Sequence, residues 1–181
     1  VETESFEREQ GKTNIVARVP GGLNSKILYL CHIDVVTEGS SELWSHDPFG
    51  GEISEGKVWG RGATDMKGSC ASAMVAAKIL LDVDESERSP TEFWFTADEE
   101  RGGVYGAKWL AETGKFKGDL CIVGDAFDGT PQKPTIDVGC KGAMRPTIKV
   151  KGKTAHGSTP FYGDNAIDKL IKILEHVKRI A

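Results

Sequence analysis

The sequence lacks long apolar runs, clusters of positive charge and paired cysteines. No stretch approaches the ~20 apolar residues that a membrane-spanning helix needs. The 23 Lys and Arg residues are fewer than the 27 Asp and Glu residues and form no basic cluster, so we expect neither nucleic-acid nor membrane partners. The four cysteines include no Cys-x-x-Cys motif, and we expect free thiols, with Cys31 and Cys121 packed in apolar strands. The opening segment VETESFEREQ is too acidic for a signal peptide, which favours a cytoplasmic protein.

The chain does contain a regular alternation of strand-like and helix-like segments. Strands are predicted over residues 14–19, 26–30, 91–96 and 120–123, and helices over residues 66–81 and 105–112. This alternation predicts an α/β fold, a twisted and mostly parallel sheet with helices on both faces. After Pro134 the pattern changes, because residues 144–151 alternate like a half-exposed strand and residues 165–180 form an amphipathic helix. We therefore predict one domain over residues 1–140 and the beginning of a smaller one over residues 141–181.

Glycine motifs that suggest nucleotide binding are incomplete in this sequence. Gly11-Lys12-Thr13 looks like the end of a P-loop, but the position where that motif needs its first glycine holds Phe6. Gly60-x-Gly62 begins a dinucleotide fingerprint whose third glycine is replaced by Asp65. A nucleotide-binding domain is therefore not supported.

Acidic residues and one histidine follow the predicted strands and glycine turns. The members of this set are His32 with Asp34, Asp65, Glu99 with Glu100, and Asp125. Taken singly, each has a simpler explanation: His32-x-Asp34 as a strand-end hydrogen bond, Asp65 as a helix N-cap, and the acidic run 98–100 as a solvated loop. Taken together, they meet where ligands bind in α/β sheets, outside the carboxyl ends of the strands. One nitrogen and several oxygens suit zinc, or alternatively cobalt or manganese, and one carboxylate could bridge two ions.

Six ordered segments resemble the M20 family of metallopeptidases and amidohydrolases. The segments are LCHIDVV, LWSHDPFGG, VWGRGATDMKG, FTADEERGG, IVGD and KVKGKTAHGSTPFYGDNAI. They extend from about Lys26 to the last residue. The resemblance implies a zinc-exopeptidase-like catalytic domain followed by the start of a smaller α+β lid domain.

The resemblance also implies a role for each member of the acidic set. His32 matches a ligand of one metal ion, Asp65 the carboxylate that bridges both ions, and Asp125 the acid that completes the His32 site. Glu100 matches the ligand of the other ion. The residues matching catalytic roles are Asp34, which orients His32, Glu99, the general base, and His156, which stabilises the oxyanion from the lid.

The implied function is a hydrolase that cleaves an amide bond of a small N-acyl amino acid or short peptide with water activated by two divalent ions. Homodimerisation through the lid is expected as well. The family has one further metal-binding histidine, late in its sequences, and none of the histidines here matches that position. We therefore expect the chain to be a fragment of a longer protein. The alternative function is a non-catalytic metal-binding or dimerising module.

Overall fold

The computed structural model describes residues 1–125, 135–139, 142 and 145–180. The chain folds as two compact units, Val1–Thr135 and Ile136–Ala181. The predicted boundary between a catalytic domain ending at residue 140 and a lid beginning at residue 141 stays a prediction, because a compact unit is not by itself a functional domain. Among the described residues, no helix is both long enough and apolar enough to span a membrane.

A five-stranded sheet organises the first unit. The strands are β1 (Glu2–Glu7), β2 (Thr13–Val19), β3 (Ile27–His32), β4 (Glu52–Ser54), β5 (Lys57–Trp59), β6 (Thr91–Thr96) and β7 (Leu120–Val123). The sheet has the order β1-β2-β6-β3-β7, while β4 and β5 form a separate hairpin. Strands β6, β3 and β7 are parallel, and the antiparallel hairpin β1-β2 extends the sheet beside β6. All four predicted strands are confirmed, as β2, β3, β6 and β7.

Helices cover both faces of the sheet. In the first unit these helices are α1 (Gly68–Leu81) and α2 (Ala107–Glu112). The second unit has its own helix, α3 (Ala166–Ile180). The buried residues on the α1 side are Val19, Cys31, Met66, Cys70, Ala73, Ala77 and Phe93. Those on the α2 side are Val16, Leu28, Trp94 and Leu110. Phe93 and Trp94 are adjacent yet lie in opposite cores, because successive side chains of a strand point to opposite faces. The predicted α/β fold, with α1 and α2 on the two faces of the sheet, is confirmed.

The sheet directs the ends of three parallel strands to one edge. His32, the last residue of β3, pairs with Thr96, the last residue of β6, and Leu30 pairs with Val123 at the end of β7. The segments that follow these strands therefore leave the sheet side by side. The predicted burial is confirmed for Cys31 but wrong for Cys121, which is exposed because β7 is an edge strand of the sheet that the described residues form.

The second unit contains α3 and little regular pairing. The predicted amphipathic helix is confirmed as α3. The strand predicted over residues 144–151 is wrong for residues 145–151, and Met144 lies outside the described residues. Its alternation has no neighbouring strand to pair with among the described residues of this unit, where one isolated bridge joins Lys153 and Asp164.

Candidate metal centre

His32 occupies the end of β3 and is almost fully buried, with 3% of its surface exposed. Its Nδ1 lies 2.9 Å from the backbone carbonyl oxygen of Asp34, and a carbonyl only accepts, so Nδ1 donates. In the neutral ring Nε2 then carries a lone pair, and this atom lies 2.9 Å from Oδ1 of Asp65. A lone pair and a carboxylate oxygen repel at this distance unless a positive charge, a proton or a metal ion, lies between them.

Asp65 lies in a turn formed by Ala63–Lys67, which precedes α1. The turn starts after Gly62 at φ 78°, where a Cβ atom would come within 2.4 Å of the Val35 side chain, so only glycine fits. Asp65 itself has an extended backbone, with φ −112° and ψ 100°, and the N-cap position of α1 is occupied by Lys67, two residues further along. The N-cap alternative is therefore wrong, and the carboxylate is available to the site.

Glu99 and Glu100 are held by the carboxylate of Asp34. They begin a 3-10 turn, Glu99–Arg101, directly after β6 and Asp98. The backbone N–H of Glu99 donates to one oxygen of Asp34 at 3.0 Å, and that of Glu100 donates to the other at 3.2 Å. The Asp34 carboxylate lies 3.6 Å from Nδ1 of His32, beyond hydrogen-bond distance. The Asp34 carbonyl thus orients the histidine, and its carboxylate orients the acidic turn.

Three predicted metal ligands converge in this arrangement. One ligand atom each from His32, Asp65 and Glu100 lies within 4.8 Å of the other two. Zinc binds nitrogen and carboxylate oxygen at ~2.0–2.2 Å, so ligand atoms that share one ion lie about 3–4 Å apart. The His32 and Asp65 atoms already approach to 2.9 Å, and one imidazole with two carboxylates is a donor set that suits divalent ions. Glu99 approaches the same place, with an oxygen 3.9 Å from Nε2 of His32.

Negative charge accumulates around this cluster. The pKa of Glu99 is raised chiefly by burial, and the charges of Asp125, Glu100 and Asp34 raise it further. Burial alone would lower the pKa of His32, but the hydrogen bond to Asp34 and the charges of Asp34 and Glu99 outweigh it and raise that pKa. Asp125, which follows β7, is thus close enough to act on Glu99. The same field that disfavours another negative charge favours a bound cation.

His156 lies in the second unit and is exposed. Its Nδ1 accepts the backbone N–H of Ser158 at 3.2 Å and lies 2.8 Å from the Ser158 hydroxyl. Because Nδ1 accepts, the neutral ring carries its proton on Nε2. His156 is therefore prepared to donate a hydrogen bond from Nε2.

Residues without any motif support the acidic turn, and the sequence did not identify them. Asn14 is fully buried in β2, accepts the backbone N–H of Ala97 at 3.0 Å and donates to the carbonyl of Tyr105 at 2.9 Å. Lys12 donates to the buried carboxylate of Asp98 at 3.2 Å. The available signals were weak: a polar amide inside an apolar strand, and a lysine in an incomplete glycine motif.

Comparison with known proteins places this geometry in a family context. The chain is similar to the succinyl-diaminopimelate desuccinylase of Beijerinckia indica, with 32% identity over 166 residues, covering 90% of this chain and 43% of that protein. Succinyl-diaminopimelate desuccinylase 1 of Alteromonas mediterranea is 37% identical over 168 residues, which cover 91% of this chain and 43% of that protein. The chain therefore spans less than half the length of these relatives.

A solved structure shares the fold. The M20 family metallo-carboxypeptidase Sso-CP2 from Sulfolobus solfataricus superposes with a TM-score of 0.61 at 25% identity, over 72% of this chain and 30% of that one. The sequence profile of peptidase family M20/M25/M40 matches residues 28–179, a range that includes the candidate ligands His32, Asp65 and Glu100. This match covers most of the chain, and the chain belongs to peptidase family M20/M25/M40.

Proposed function

We propose that the protein is a metal-dependent hydrolase that cleaves the amide bond of a small N-acyl amino acid or a short peptide. The observation that carries this proposal is the approach of His32 Nε2 to Oδ1 of Asp65 at 2.9 Å, with Glu100 in the same group. A divalent cation between these atoms would offset their repulsion and the surrounding negative charge. The adjacent Glu99 is near enough to act on a substrate beside that cation and is left over as a base.

Two divalent ions are proposed, zinc first, with cobalt or manganese as alternatives. His32, Asp65 and Asp125 would hold one ion, and Asp65 and Glu100 the other, with Asp65 as the bridge. The nitrogen and carboxylate donors suit these metals. When bound, the ions would polarise the scissile carbonyl and lower the pKa of the attacking water.

The chain's own residues supply proton transfer and charge stabilisation. Glu99 takes the proton from the attacking water and returns it to the departing amine. Its backbone N–H is fixed by Asp34 at 3.0 Å, so the base has a defined place. The family resemblance assigns His156 the oxyanion of the tetrahedral intermediate, and its bonds to Ser158 leave Nε2 as the nitrogen that carries the proton for this role.

The first substrate class to test is N-succinyl amino acids. The names of the desuccinylase relatives support this choice. A cavity of about 390 Å³ lies beside Asp34 and Glu100 and has room for a small molecule. The volume lies within the ~300–1,000 Å³ range of small-molecule sites. Lys12 and Arg101 contribute to the cavity wall. Homodimerisation through the second unit and a cytoplasmic location stay predictions.

The test uses the protein at its natural length, loaded with zinc or cobalt. N-succinyl-diaminopimelate, N-acetyl amino acids and dipeptides are assayed for hydrolysis. Glu99→Gln should abolish turnover with metal content nearly intact, whereas Asp65→Ala should lose both ions. Glu112→Gln, which changes an exposed glutamate on α2, should alter neither property.

Three outcomes would contradict parts of this proposal. Retained turnover in Glu99→Gln would show that Glu99 is not the general base. Two equivalents of bound metal in Asp65→Ala would show that Asp65 does not bridge the two ions. A wild-type protein that binds metal but hydrolyses none of the substrates would favour the non-catalytic module instead.

A further inference from the structure

Asp98 is a buried acid that the proposed ligand set and catalytic roles do not use. It directly follows β6 and has the left-handed conformation φ 67°, ψ 18°, with 3% of its surface exposed. Within the described residues, Glu55 is the only other non-glycine residue with positive φ. A residue that carries a Cβ atom keeps this conformation only where its surroundings hold it.

Asp98 is held by one residue that is distant in the sequence, Lys12, and by the segment that follows the acidic turn. One carboxylate oxygen accepts from Nζ of Lys12 at 3.2 Å, and the other accepts the backbone N–H of Tyr105 at 3.3 Å. Its carbonyl accepts the N–H of Gly103 at 2.7 Å, which closes the chain around the acidic turn. Asn14 binds the preceding residue and the carbonyl of Tyr105, so the backbone is anchored on both sides.

This anchoring determines where the next two residues emerge. Glu99 and Glu100 follow the left-handed residue at once, and their N–H groups reach Asp34 at 3.0 and 3.2 Å. Because Glu100 joins His32 in the ligand group, the backbone conformation at Asp98 decides whether a ligand and a base face the cleft. Asp98 is itself outside that group, and its charge is directed to Lys12.

We propose that Asp98, with Lys12 as its counter-ion, is a positioning residue that holds Glu100 in ligand position and Glu99 in base position. It touches neither metal nor substrate. The part of this inference that is tested by turnover, the position of Glu99 as the base, rests on the proposed function. Metal affinity and backbone exchange test it independently of turnover.

The chain offers a matched control on the same strand. Glu92 lies near the start of β6, is 7% exposed and accepts from Nζ of Lys26 at 2.7 Å. Asp98→Asn and Glu92→Gln therefore each neutralise one buried carboxylate that is paired with a lysine. Glu92 also accepts from Arg18 and Trp94, so Glu92→Gln removes at least as much charge pairing as Asp98→Asn does. Asparagine also tolerates the left-handed conformation, so Asp98→Asn removes the charge with little change of backbone preference.

The two variants are compared in the protein at its natural length. Asp98→Asn should weaken zinc affinity by ~10–100-fold, as the loss of a group that orients a ligand does. It should also lower kcat by about 100-fold with KM nearly unchanged, because a small displacement of the base has that effect. Glu92→Gln should lower the melting temperature without changing zinc affinity or kcat.

Hydrogen–deuterium exchange of the metal-free protein supplies the second readout. The amides of Glu99 and Glu100 should exchange faster in Asp98→Asn and keep their protection in Glu92→Gln. Lys12→Met, at a residue that is one-third exposed, should reproduce the faster exchange and serves if Asp98→Asn does not fold. The double variant Asp98→Asn, Lys12→Met should lose less amide protection than the two single variants lose in sum, because the two side chains act as one ion pair.

Unchanged zinc affinity and unchanged amide protection in Asp98→Asn would overturn the inference. The inference would also be overturned if Glu92→Gln lost as much zinc affinity and amide protection as Asp98→Asn for the same drop in melting temperature. The role of Asp98 would then be merely structural. A wild-type protein without hydrolytic activity would refute the proposed function. Zinc affinity and exchange would still decide the role of Asp98 in that case.

Discussion

Replacing Asp34 by asparagine separates two functions of one residue. The backbone carbonyl of Asp34 accepts from His32, and the substitution leaves that carbonyl in place. The carboxylate accepts from the N–H groups of Glu99 and Glu100. Asparagine offers one oxygen and one NH2 group to these two donors, so one of the N–H groups faces another donor. We expect the variant to keep the histidine oriented and to loosen the acidic turn.

The magnitude follows from the hydrogen bond that is lost. A hydrogen bond to a charged group contributes ~1.5–3 kcal/mol in proteins. At about 1.4 kcal/mol per factor of ten, that loss corresponds to ~10–150-fold in zinc affinity or in kcat/KM. The larger value applies where the freed N–H group stays buried, and the Asp34 carboxyl is itself about three-quarters buried.

Zinc affinity is measured by competition with a chromogenic chelator, and the ring tautomer of His32 by 15N NMR of the metal-free protein. Asp34→Asn should keep the Nδ1–H tautomer while its zinc affinity falls. Asp119→Asn is the control, because Asp119 also accepts a backbone N–H, that of Lys26 at 2.7 Å, but outside the site. A changed tautomer with unchanged turn protection would refute the reasoning, because the carboxylate would then orient the histidine.

Three further predictions concern stability, each measured by thermal unfolding. Glu99→Gln should raise the melting temperature of the metal-free protein at neutral pH, because a carboxylate whose pKa is raised on folding destabilises the folded state while it is ionised. The gain should vanish below the ordinary pKa of glutamate, where Glu99 is protonated in both states, and a gain at every pH would contradict this. Chelation of a protein that held zinc at 1,000 times its Kd should cost ~4 kcal/mol, and no shift would argue against a resident metal. Arg88→Met should cost ~2–4 kcal/mol, because the buried guanidinium donates to the carbonyls of Pro20, Leu80 and Val83; a neutral result would refute this.

The sequence predicted the core strands because apolar periodicity is a local property. The run TEFWFT places Phe93 and Trp94 in opposite cores, and its pattern is visible without any neighbour. The antiparallel hairpin was missed at β1, because its sequence ETESFE is mostly polar and forms a strand by pairing with β2. Cys121 shows the same limit, since an apolar run does not reveal that its strand is outermost.

The acidic residues of the site could be predicted as a group from the sequence, but the role of each one could not. Glu99 and Glu100 are adjacent, so spacing cannot tell a ligand from a base. Only the resemblance separated their roles, and the structure adds that Glu100 joins the ligand group while Glu99 lies beside it. Asp98 looked like a third member of the same run, yet its carboxylate forms an ion pair with Lys12, which lies 86 positions earlier. A contact over that separation leaves no local pattern.

Electrostatic cost explains why the ligands were visible in the sequence and their supports were not. Several carboxylates near one buried imidazole repel each other, and a bound cation would offset that repulsion. Such a costly pattern is informative wherever it occurs. Asn14 is neutral and satisfies its hydrogen bonds with backbone groups, so its burial costs little and resembles ordinary strand packing. Charged ligands can therefore be read from residue types, whereas the neutral groups that orient them are identified only by the contacts they make.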